Sequence, residues 1–173
     1  MKSKLILVLV MSMATGMASA QGLKIAYADV DYIFSKMPEA KQIESSLQTH
    51  QTQLQSQLKA KYDDYQAKLA AFQNMPATTP DAVQRDKMNE LAQLEQSIQQ
   101  FQMDAQQSME TKRGELLDPV YTKVGNSIKS VAEENAYDFV LTAGVAGTDI
   151  VLFAAEKYDI SDLVLKKLGV AVN

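Results

Sequence analysis

Met75-Pro76-Ala77-Thr78-Thr79-Pro80 divides a long glycine-free stretch, Glu39 to Arg113, into two arms. Proline has no N–H to donate and its ring clashes inside a helix, so two prolines this close together mark a turn. Between Gly22 and Gly114 the only other proline is Pro38, placed where the first arm begins. That is the first helical position, where proline is tolerated, and Glu39 beside it suits the positive end of the helix dipole. The arms are rich in Gln, Ala, Leu, Lys and Glu, all good helix formers. The stretch predicts two long helices folded back on each other.

Apolar spacing supports the pairing. Along the first arm the stripe is Ile43, Leu47, Leu54, Leu58, Tyr65, Leu69 and Phe72. Ile43, Leu54 and Tyr65 recur every eleven residues, as do Leu47, Leu58 and Leu69. That period is about 3.67 residues per turn, which favours straight packing over a tight left-handed coil. The second arm carries Leu91, Leu94, Ile98, Phe101, Ala105 and Met109. At 1.5 Å per residue the arms would reach ~50–55 Å. Asp81 is expected to cap the second one.

Outward from the arms the pattern changes. Leu23 to Asp29 alternates as a strand does, and Tyr32 to Met37 reads as a short helical turn. After Gly114 the apolar residues Leu116, Leu117, Val120, Val124, Ile128 and Val131 keep helical spacing, with a kink expected at Pro119 and an end near Asn135. Tyr137–Leu141 and Asp149–Phe153 read as two strands joined through the hairpin loop Gly144-Val145-Ala146-Gly147. Ser161 is expected to cap a short helix closed by Gly169.

The first twenty residues stand apart. Lys2 and Lys4 precede the apolar run Leu5–Met11, and Ala18-Ser19-Ala20 is a small-residue cleavage pattern. This predicts a cleavable signal peptide over 1–20, and hence export to the periplasm. There is no cysteine, so neither a disulfide framework nor thiolate chemistry is available. Without Lys2 and Lys4 the chain has 15 basic against 21 acidic residues, a poor surface for nucleic acid.

The fold class is therefore α+β. Residues 39–113 form the arm, with its tip at 75–80, and 21–38 with 114–173 form a β-containing body. Three short strands leave sheet edges and an apolar face unsatisfied. Copies of the chain joining their sheets would cover both, so a homo-oligomer is expected.

The order of these elements resembles the Skp/OmpH family of periplasmic chaperones. The resemblance rests on Ile25-Ala26-Tyr27-Ala28-Asp29-Val30 and Pro38-Glu39-Ala40, then Leu117-Asp118-Pro119-Val120-Tyr121, Val131-Ala132-Glu133-Glu134-Asn135 and Asp159-Ile160-Ser161-Asp162. It implies a trimer whose arms surround a cavity and hold unfolded outer-membrane β-barrel proteins without ATP. One departure stands out. Skp-type members are strongly basic, whereas residues 59–95 here balance Lys59, Lys61, Lys68, Arg85 and Lys87 against six acidic residues. A lipopolysaccharide site is therefore not carried over, and membrane contact stays open.

Candidate client-contact residues are Tyr62, Tyr65, Phe72, Met75, Met88, Phe101, Met103 and Met109. Methionine conforms to varied apolar shapes, and Met103 lies off the main stripe, about 200° around the helix from Phe101. The leucine stripe is assigned first to the seam between the helices. Sixteen glutamines between Gln42 and Gln107 keep the surface soluble without charge and offer hydrogen bonds to an extended backbone. His50 is the sole histidine and has no ligand partners in sequence, so no metal site is expected. Gly144–Thr148 lacks a nucleotide-binding lysine. No nucleophile stands with a base, so no catalytic or cofactor residues are assigned. The competing reading is a passive periplasmic scaffold that docks a fixed partner through the hairpin.

Overall fold

The computed structural model describes residues 22–145 and 147–171. The expected signal peptide lies outside them. Strand β1 (Ile25–Ala28) leads through Asp29 into α1 (Val30–Lys36), whose first turn is capped by the Asp29 carboxylate accepting from the Tyr32 N–H at 2.8 Å. Met37 is extended, as the residue before a proline must be, and separates α1 from α2 (Pro38–Gln73). Helix α3 (Asp81–Glu134) returns from the tip and passes through Gly114 and Pro119 without interruption. There follow β2 (Phe139–Thr142), the two-residue strands β3 (Gly144–Val145) and β4 (Thr148–Asp149), a 3₁₀ turn (Glu156–Tyr158) and α4 (Ser161–Lys167).

The arm is an antiparallel pair with a single register. His50 Nε2 meets Ser108 Oγ at 2.9 Å, Lys61 donates to Ser97 at 3.0 Å, and Lys68 pairs with Glu90 at 2.6 Å. Each of these pairs is centred on Thr79, so the proline turn sets the register from Lys68–Glu90 down to His50–Ser108. Ile43 and Ile98 are the buried members of the stripe, while Leu47, Leu54, Leu58, Leu69, Leu91 and Leu94 are half-buried. A helix with one neighbour can cover only one side of each side chain.

Below the arm lies the real core. Val120, Val124 and Val131 bring one face of α3 against Ile33 and Met37 from the N-terminal segment and Ile160, Val164 and Leu165 from the C-terminal one. Ala26 and Ala28 close it from the sheet, where small side chains let the helices approach. At the root of the arm Glu39 accepts from Lys123 at 2.6 Å, which ties the first turn of α2 to α3. Its carboxyl is held below the usual range, chiefly by Lys123 and then by its own backbone N–H.

Three local expectations are corrected. The hairpin of Tyr137–Leu141 with Asp149–Phe153 does not form. Instead β2 lies parallel to β1, pairing Ile25 with Phe139 through Ala28 with Thr142, and Asp159 bridges to the other side of β1 at Tyr27. The glycine loop itself supplies the β3–β4 ribbon, whose last ties are the Ile150 and Val151 N–H groups donating to the Ala143 carbonyl. Asp81 is not a cap: Pro80 occupies that place and its carbonyl accepts from Val83 and Gln84, leaving Asp81 in the first turn. Nor is Ser161. It is the first helical residue, it accepts from the Asp29 N–H at 2.8 Å, and Asp159 accepts from its backbone N–H.

The C-terminal closures follow sequence more closely. Gly169 has φ +77°, its N–H donates to Lys166 and that of Val170 to Leu165, the six-to-one pattern that satisfies orphan carbonyls. Helix α3 ends in the same way beyond Asn135, but there Ala136 takes the left-handed position, at φ 53°.

Candidate functional site

The eight candidate contact residues are strung along the arm rather than gathered into one pocket. They fall into two groups. Met88 and Met103 are 57% and 58% exposed, and Tyr62 is 42% exposed with its hydroxyl accepting from Gln102 at 2.9 Å. Tyr65, Phe72, Phe101 and Met109 are half-buried along the helix pair, and Met75 is half-buried in the tip turn. Phe101 lies under the Lys61 ammonium at 5.5 Å, so part of its face is already in use. His50 bonds to Ser108 across the seam, as a structural histidine does.

Six of the eleven charged residues between 59 and 95 are paired within the arm. Lys59 pairs with Asp63 at 2.6 Å, and Lys68 with Asp64 and Glu90. Lys87 adds a second cation to Glu90 at 2.7 Å. Donation from Lys68 first and Lys87 second holds the Glu90 carboxyl down at about 2. In the middle of the arm the α2 side is uncharged. From Ser45 to Leu58 there is no Lys, Arg, Asp or Glu, while the facing stretch of α3 mixes Asp104, Glu110, Lys112 and Arg113 with four glutamines. A groove of about 480 Å³ runs there between the helices, floored by Leu54, Leu58, Ala105 and Met109.

A second apolar surface lies on the body. The outer face of the β1–β2 sheet shows Ile25, Phe139 and Leu141, and the segment after β4 leaves Leu152 and Phe153 each 90% exposed. Leu23, Ile25, Leu141, Val151, Phe153 and Tyr158 line a depression of about 360 Å³. None of these residues was among the contact candidates. The signal was present in the strands, which are apolar on both faces, as strands covered on both sides are.

A pair of helices standing off a small sheet-bearing body defines an α+β protein built around an arm. The chain belongs to the OmpH-like family: the family model described as "Outer membrane protein (OmpH-like)" matches residues 24–168. It is 29% identical over 159 residues to the chaperone protein Skp of Yersinia enterocolitica, covering 87% of this chain and 89% of that one. Against the chaperone protein Skp of Pectobacterium atrosepticum it is 26% identical over 149 residues, covering 84% and 85%. Among solved structures, one from Caulobacter crescentus described as an outer membrane chaperone (OmpH-like) superposes with a TM-score of 0.73. Identity there is 16%, over 89% of this chain and 88% of that one, so the likeness concerns the fold. Among the described residues no helix is long and apolar enough to cross a membrane.

Proposed function

We propose that this chain is a periplasmic chaperone for outer-membrane proteins, and that it works as a nucleotide-independent holdase. The observation that carries the reading is the arm itself. It projects well beyond the packed body and keeps exposed methionine and tyrosine on a glutamine-covered surface. Unfolded barrels need many weak, adaptable apolar contacts rather than one deep pocket, and thioether side chains supply them. Membership of the family and similarity to two Skp chaperones support the same role.

The uncovered face of the body supports a homo-oligomer. Exposed leucine and phenylalanine beside an open sheet are well suited to a second copy, and three copies would set three arms around a shared cavity. Clients are held within that cavity, with Tyr62, Met88 and Met103 the most available of the eight contact residues.

The test is dilution of a urea-denatured outer-membrane barrel into buffer with and without the protein, followed by light scattering. Soluble complexes of fixed stoichiometry, formed without nucleotide, are the expected result. Failure to hold several different barrels, with tight binding to one folded envelope protein, would instead establish a docking scaffold.

A further inference from the structure

Resting on the chaperone reading, we propose that the groove in the middle of the arm is a seat for an extended, uncharged strand of client chain, gripped partly through its backbone. The groove is built from helix neighbours one turn apart. Gln51 and Gln55 form one rim, Leu54 and Leu58 the floor beside it, and Ala105 and Met109 the floor on α3. Gln106 and Glu110 complete the far rim.

This repeat has a length. Residues i and i+4 on a helix are about 6 Å apart along the axis. In an extended chain, side chains on one face and backbone groups on one edge recur every two residues, about 6.6–6.8 Å. Floor and rim therefore advance nearly in step with a strand laid along the arm. Alternate client side chains meet leucine and methionine, while successive backbone N–H and C=O groups meet glutamine amides that can both donate and accept.

Charge narrows the occupant further. The one ionised group on the groove is Glu110, and Arg113 pairs with it at 3.0 Å. A segment bearing unpaired charge gains no partner there and loses hydration. Ala105 gives the floor its depth, since a longer side chain at that position would fill it.

The experiment uses the full mature chain and a fluorescent peptide of roughly ten residues alternating valine with threonine. A second peptide is methylated on every other backbone nitrogen, removing the donors of one edge. Wild-type protein is expected to bind the first about tenfold more tightly than the second, with little change between about 50 mM and about 500 mM salt. Gln51→Ala with Gln55→Ala should weaken the first peptide about tenfold and leave the methylated one unchanged. Ala105→Met should weaken both. Helicity by circular dichroism confirms that each variant is folded. Equal binding of the two peptides, a steep salt dependence, or variants that bind as the wild type would each overturn the inference. Barrel dilution run alongside separates the two levels: a wild type that holds barrels while the groove variants hold them equally removes the groove alone. A wild type that holds none removes the chaperone reading.

Discussion

Leu152 and Phe153 are nine-tenths exposed in the single chain, so replacing both with asparagine removes almost nothing from its own packing. The effect on folding should stay within about 0.5 kcal/mol, as for other surface positions. If a second copy covers them, the outcome differs. Burying a leucine or phenylalanine side chain is worth about 1.5–3 kcal/mol, so the pair contributes ~3–6 kcal/mol at each subunit contact. At 1.4 kcal/mol per decade, that is a loss of about 10²–10⁴ in association constant. Sedimentation equilibrium on wild type and Leu152→Asn/Phe153→Asn, with thermal unfolding in parallel, reads both quantities. Weakened assembly with unchanged unfolding of the dissociated chain is expected. A variant that assembles like the wild type would refute the reasoning, as would a wild type that is a stable monomer.

Other tests probe the arm and its root. Met88→Gln with Met103→Gln should leave stability within about 0.5 kcal/mol but weaken suppression of barrel aggregation, since both side chains face water. Gly114→Ala should stabilise α3 by about 1 kcal/mol, because a Cβ there meets nothing within 4 Å. Ala136→Gly should gain about 1 kcal/mol by relieving the left-handed backbone, measured as a shift in urea midpoint. Glu90 has its folded-state carboxyl lowered to about 2, so its ion pairs stabilise the arm fully above about pH 5 and lose that contribution as pH falls through about 2. Wild type and Glu90→Gln should therefore differ in unfolding midpoint near neutrality and converge in acid.

The long helices were legible because their signals are local. Three prolines and the absence of glycine fixed where the arms begin and turn, and Pro38 does occupy the first helical position. The partner of β2 was not legible. Alternation announces a strand without saying what pairs with it, and the glycines of 144–147 made a neighbour in sequence look like the neighbour in space. Only tertiary contact brings Lys24 and Asp138 together, with backbone N–H of each reaching the other residue at 2.7 and 2.8 Å. The caps failed for a subtler reason. An aspartate or serine at a helix start serves equally one position earlier or later, and Pro80 and the Asp159–Ser161 contact decided it. For the contact surface, composition pointed to methionine. The groove depends on which i and i+4 pairs face each other across the seam, a property of register.

That register carries an engineering consequence. Since the body is assembled from the two ends of the chain and the facing pairs His50–Ser108, Lys61–Ser97 and Lys68–Glu90 are centred on Thr79, the arm works like a zip whose teeth can be removed in matched sets. Eleven residues are close to three full helical turns. Deleting eleven from α2 and the eleven opposite them from α3 would keep every remaining side chain on its original face. The arm would shorten by about 16 Å at 1.5 Å per residue, with the body untouched. In the proposed oligomer, the depth of the cavity between the arms would thus be a dimension that can be changed in steps, independently of how the arms are anchored.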